Sequence, residues 1–312
     1  MKRLIAALFA SVLSCTAQAQ QNDFKLTLLG TGSPPPVLKR FGPATLIQAG
    51  RETLLIDCGR GCTQRLAQAG VKLGAVDALF ITHLHSDHIV GIPDLWLTGW
   101  LDSPFGTRTQ ALQVWGPQGT VAMMQNMQKT FQWDIDTRVA DQNLSRSAAG
   151  INATEIAPGV IYERNGVKVS AIEVDHGDLI KPTFGYRIDY DGRSVVVSGD
   201  TRFSENLIKH ATGADLLVHQ VAMAKEELIA RSDRVRTILA HHTKPHEAGT
   251  VFARAKPKLA VFYHISLQGD PGTPAPTEKD VEDATRTTYA GPLVLGEDMM
   301  VFVIGKDGVT RQ

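Results

Sequence analysis

The stretch "LFITHLHSDHIVGIP", residues 79–93, sets His83, His85, Asp87 and His88 within six residues. A chain has little use for such crowding in packing alone. In an extended segment, residues two apart face the same way, so His83, His85 and Asp87 converge on one side. His88 faces away unless the chain turns there, which would carry it towards a second ion. Helical zinc motifs set two histidines four apart, so this spacing marks a strand-to-loop site instead. Imidazole with carboxylate suits zinc, with iron or manganese as alternatives.

Four ligands cannot complete two metal sites, and three more candidates each follow an apolar run. His176 follows "VSAIEVD", Asp200 follows "RSVVVSG" and His264 follows "KLAVFY". Singly, a histidine at a strand end is as often a packing or surface residue, and an aspartate after Ser-Gly is often a turn residue. Their recurrence at strand ends, in a chain that already carries the cluster, points to one assembled site.

The remaining pattern alternates strands and helices. "FKLTLLG" and "PATLIQAGRETLLIDCG" read as strands, and "CTQRLAQAGV" as a helix. "GTVAMMQNMQKTFQW" and "KPHEAGTVFARA" are helical, and Asp191-Gly192 marks a hairpin. Residues from about 134 to 160 have weak periodicity and read as an inserted loop or small excursion. No short repeat appears. The expectation is sheets covered by helices in one domain, residues 20–312.

Formal net charge is zero, with 32 basic and 32 acidic residues, and no Lys/Arg-rich run stands out. This lowers the prospect of a nucleic-acid partner, which needs phosphate contacts. Residues 1–19 read as an export signal: Lys2 and Arg3, a short apolar run, then Ala17-Gln18-Ala19 as a small-x-small cleavage site. Cys15 gives only a poor lipobox. No later stretch is apolar enough for a transmembrane helix. The expected location is periplasmic or secreted. That setting permits a Cys58–Cys62 disulfide, although spacing of one helical turn is marginal geometry for it.

These motifs resemble the metallo-beta-lactamase superfamily, whose hallmark is His-x-His-x-Asp-His. "LLGTGSPPP", "LLIDCGRGCTQRL", "ITHLHSDHIVGIP", "VWGP", "GYRI", "SGDTR", "ADLLVHQ" and "HHTKPHEAG" resemble, in order, its ribonuclease Z-like branch, which includes secreted arylsulfatase-like and phosphodiesterase-like hydrolases. The resemblance implies an α/β fold, the four-layer αβ/βα sandwich. It implies two Zn2+ per chain, with Mn2+ or Fe2+ possible. His83, His85 and His176 would hold one ion, Asp87, His88 and His264 the other, and Asp200 would bridge them. A bridging hydroxide would be the nucleophile, with Asp87 orienting it. Relatives are often homodimers, so a homodimer is expected.

In that branch a His-Ser-Thr segment supplies a proton to the leaving group. By alignment His241 takes the role, with His242 as the fallback. The branch pairs this donor with a glutamate that is Gln220 here, unless another acid such as Glu247 serves. His219 reads as a structural residue, and His210 and His246 as exposed ones. No Gly- and Lys-rich arm for a tRNA body is present. The expected function is hydrolysis of a small ester, an aryl sulfate or a phosphodiester, without nucleic acid or membrane as partner. The alternatives are a lactone or beta-lactam hydrolase, a ribonuclease Z-like phosphodiesterase, an iron-dependent oxidoreductase, or a metal-binding scaffold. The bridging Asp200 weighs against an ordinary beta-lactamase, and the full ligand set against a scaffold.

Overall fold

In the computed structural model, which describes residues 23–312, two sheets pack face to face with helices on both outer sides. The expected export segment, 1–19, lies outside the described residues. The chain begins with antiparallel β1 (Phe24–Gly30), β2 (Ala44–Ala49) and β3 (Glu52–Ile56). It continues in parallel through β4 (Ala78–Phe80), β5 (Leu112–Gly116) and β6 (Ile151–Glu155). The second sheet opens antiparallel with β7 (Gly159–Arg164), β8 (Val167–Val174), β9 (Thr183–Tyr190) and β10 (Arg193–Val197). Parallel β11 (Leu216–Ala224), β12 (Leu259–Gln268) and β13 (Leu293–Leu295) extend it. Finally β14 (Val301–Ile304) and β15 (Val309–Arg311) return to the first sheet beside β1.

On the first sheet lie α1 (Cys62–Gln68), α2 (Ser86–Ile89), α3 (Ile92–Trp100), α4 (Thr120–Thr130) and α5 (Gln132–Gln142). On the second lie α6 (Glu205–Ala211), α7 (Glu226–Arg231), α8 (Asp233–Ala240), α9 (Pro245–Ala255) and α10 (Glu278–Arg286). This is the expected four-layer sandwich, and it explains the continuous apolar runs. A strand covered on both faces cannot alternate apolar with polar. In β10, Val195 and Val197 face the core between the sheets, whereas Val196 faces the outer helices. Phe80, Tyr162 and Tyr186 meet in the central core with ring centroids 5.6 Å apart for both Phe80 pairs. Truncating Phe80 to alanine would cost about 3–5 kcal/mol.

The Asp191-Gly192 hairpin forms as expected between β9 and β10, with both residues at positive φ. Residues 134–160 depart from the expected loop, because they complete α5 and form β6. In α5 only Ile135 and Val139, one turn apart, pack inwards, while Trp133 is 78% exposed. Two inward positions leave little periodicity for sequence to display. Cys58 and Cys62 are buried free thiols.

Candidate metal centre

β4 delivers the cluster to the sheet edge, where Tyr186 of the facing sheet donates a hydrogen bond to the Ile81 carbonyl at 2.6 Å. The chain leaves β4 extended through His85 and then turns into α2, a single helical turn. The turn at Ser86 removes Asp87 from the extended alternation read in the sequence. It also swings His88 inward to complete burial. Gly59 permits this path, since a β-carbon there would stand 2.3 Å from the Asp87 carbonyl oxygen.

The seven sequence-predicted ligand positions come together in overlapping groups. His85 Nδ1 lies 2.9 Å from His83 Nε2 and 3.3 Å from His176 Nε2. Two nitrogens each about 2.0–2.1 Å from a tetrahedral zinc stand about 3.4 Å apart, so these separations approach what one ion requires. His264 Nε2 is 3.3 Å and His88 Nε2 is 3.7 Å from Asp87 Oδ2. Asp200 Oδ2 lies between the groups: 3.5 Å from His88, 3.7 Å from His176 and 3.4 Å from His264.

The strands supply these positions by local irregularity. Asp200 follows β10 through Gly199, at φ 61 and with only 2.4 Å between a hypothetical β-carbon and the Phe184 carbonyl oxygen. His264 is a bulge in β12: Tyr263 pairs with Gln220 and Ile265 with Val221, leaving His264 without a counterpart at φ 43. Such a bulge re-aims one side chain at a local conformational cost.

Sequence reading did not single out Asp57. It follows β3, is buried at φ 58, and its Oδ2 stands 2.7 Å from His88 Nδ1. Its Oδ1 also accepts from the Thr82 amide at 2.8 Å. A carboxylate holding the far nitrogen of a ligand histidine fixes its tautomer and orientation. Burial opposes charge on His88, but Asp57 and Asp200 outweigh it and hold its pKa well above the usual imidazole range. The signal was the aspartate ending "LLID", indistinguishable there from a turn residue.

His241 and His242 both border the cleft, in different ways. His242 Nε2 lies 3.4 Å from Asp200 Oδ2, and its Nδ1 donates to the Ile238 carbonyl at 2.7 Å. His241 instead offers its backbone carbonyl to His176 Nδ1 at 2.9 Å, and its ring lies against Gly177. Burial, then the neighbouring His242, lowers the His241 pKa. Burial would lower His242 too, yet its hydrogen bond with Asp200 prevails and raises it. Gln220 pairs with neither: its Nε2 donates to the Thr201 carbonyl at 2.6 Å. Glu247 is likewise engaged, accepting from the Lys244 amide at 2.9 Å as a helix cap. His219 is buried with Nδ1 on the Gln220 carbonyl and its ring edge-on to Phe252.

The donor set suits divalent metal. His88 Nε2 and Asp200 Oδ1 are buried at this centre and have no hydrogen-bond partner among the described residues. A buried polar atom so placed costs about 1–3 kcal/mol, which coordination would offset. The centre opens into a cleft of about 290 Å³, walled by Pro34, Pro35 and Ile238 on its apolar side.

Residues 24–245 match the family described as Anti-Pycsar protein Apyc1. A ribonuclease Z of Mycolicibacterium gilvum (strain PYR-GCK) is 36% identical over 277 residues, 88% of this chain and 94% of that protein. A ribonuclease Z of Mycobacterium marinum (strain ATCC BAA-535 / M) is also 36% identical, over 88% of this chain and 96% of its own. Among solved structures, the metallo-beta-lactamase fold protein YhfI from Bacillus subtilis superposes with a TM-score of 0.68 at 19% identity, covering 89% of this chain and 98% of that one. The short form of human tRNase Z gives 0.64 at 22% identity, with coverage of 89% and 98%.

Proposed function

This chain belongs to the Anti-Pycsar protein Apyc1 family within the metallo-beta-lactamase superfamily, a relative of ribonuclease Z and of hydrolase fold, and from that premise we propose that it hydrolyses a small phosphodiester. The observation that carries the reading is Asp200 Oδ2 set among imidazoles of both ligand groups at 3.4–3.7 Å, at the floor of a cleft of about 290 Å³. That volume is at the lower end for small-molecule sites. It supports a compact ester rather than a folded RNA as the native substrate.

His83, His85 and His176 would hold one divalent cation, Asp87, His88 and His264 a second, and Asp200 both; zinc fits this donor set best. Ions held there supply Lewis-acid stabilisation of phosphoryl charge and make a nearby water more acidic. The protein's own groups do the rest. Asp87 can take a proton from the attacking water. His242 can donate one from Nε2 to the leaving oxygen, because Ile238 holds its Nδ1 and leaves Nε2 facing the centre. We assign the donor role to His242 rather than to His241, the choice alignment suggests. Pro34, Pro35 and Ile238 give the cleft its apolar lining. The apolar amino-terminal segment supports a location outside the cytoplasm, and resemblance supports a homodimer.

The test is turnover of metal-loaded protein on bis(4-nitrophenyl) phosphate, 4-nitrophenyl sulfate, a lactone and a beta-lactam. Phosphodiester cleavage is expected to dominate by at least tenfold in kcat/KM, and Asp87→Ala to reduce it by about two orders of magnitude. Dominant sulfate cleavage would move the reading to an arylsulfatase, and dominant lactone or beta-lactam cleavage would overturn it.

A further inference from the structure

Beyond the metal centre the cleft is lined by Ser266, Gln268 and Arg234. Past the bulge at His264, Ser266 and Gln268 line it as alternate residues of β12, with His264 at its inner end. The strand therefore runs from the ligand position outwards for about 13 Å, at 3.2–3.4 Å per residue. At the outer end Gln268 donates to Ser266 Oγ at 2.9 Å, and its own oxygen faces Arg234 Nη1 at 3.4 Å. Among the described residues, Arg234 is the only lysine or arginine lining this cleft, and it has no carboxylate partner. Other arginines of this helix pair are engaged: Arg231 with Asp270 at 2.8 Å, and Arg236 with Asp233. An uncommitted guanidinium at the mouth of a cleft is suited to an anionic group, which it can meet with a planar fork of donors.

We propose that Arg234 is a specificity-determining residue: it binds a second anion, a carboxylate or phosphate, carried by the substrate on a flat apolar body that rests between Pro34, Pro35 and Ile238. The preferred substrate is then an ester with two negative ends, the scissile phosphoryl group at the ions and the other at Arg234. Gln268, braced by Ser266, orients the guanidinium. This deepens the phosphodiester reading and rests on it.

The experiment compares methyl 4-nitrophenyl phosphate with methyl 4-carboxyphenyl phosphate, and measures binding of phenylphosphonate and 4-carboxyphenylphosphonate by calorimetry. The carboxylated members are expected to show KM and Kd about tenfold lower, as for one partly exposed charge-assisted contact. Arg234→Gln should abolish that advantage while leaving the pair without the carboxylate unchanged. Arg234→Glu should favour a trimethylammonium-bearing phenyl ester instead. Arg234 is exposed and packs no core, so both variants should retain the parental melting temperature. Equal binding of carboxylated and plain phosphonates by the parent protein, or an advantage that survives Arg234→Gln, would overturn the proposal. Failure to cleave either phosphate while the phosphonates still discriminate would fault the phosphodiester reading and leave the anion subsite standing.

Discussion

Asp57 and His88, 31 residues apart in the chain, meet at 2.7 Å in a fully buried contact. The carboxylate holds Nδ1, so Nε2 must face the metal centre. Asp57→Asn keeps the shape but can present its amide to Nδ1 and disturb the tautomer. Metal affinity should fall about 10–100-fold, as for other carboxylates that brace a ligand histidine. Competition with a fluorescent zinc chelator measures it, and parental affinity would remove Asp57 from the role.

Asp200→Ala should leave fewer than two tightly held ions per chain. Its carboxylate is near ligands of both groups, so its loss affects each. Elemental analysis after gel filtration decides the matter. Two retained ions would show that Asp200 does not bridge.

His242→Ala should slow alkyl esters by about 10²-fold, the lower range for general acid catalysis, and activated nitrophenyl esters much less. His241→Ala should act more weakly on both, since its ring lies away from Asp200. A series of leaving groups of graded acidity checks this. The opposite ranking of the two variants would restore His241 as donor.

His219 gives a stability prediction. Burial pushes its pKa down to about 4, whereas the unfolded chain has the ordinary value near 6.5. The unfolded state therefore binds the proton first as pH falls. The contribution is intact above about 6.5 and lost progressively down to about 4, amounting to about 3 kcal/mol. In chelated protein, denaturant unfolding from pH 8 to pH 4 should show a steeper decline for the parent than for His219→Leu. Identical slopes would mean that His219 is not the group responsible.

How much of this was legible in the sequence follows from how local each signal is. His83, His85, Asp87 and His88 announce themselves because their ligand chemistry lies within six residues. His176 and Asp200 were legible at strand ends because apolar runs precede them, whereas His264, expected at a strand end, is a bulge within β12. The turn at Ser86 was not, since a four-residue helix has no periodicity to read. Asp57 was invisible because its partner is remote. His242 was ranked second because alignment follows Thr243, whereas the ring reaching Asp200 depends on the end of α8.

The bulge at His264 has a mechanical corollary. Ligand positions from β4 belong to one sheet, and His176, Asp200 and His264 to the other, so cations at this centre would act as a clasp across the interface between halves of the sandwich. Chelation should then loosen the seam before it unravels either sheet. Hydrogen exchange would rise first at Thr82, Gly199 and Ile265, with the strands behind them still protected. Metal supply, in that case, would govern the shape of the cleft as well as its chemistry.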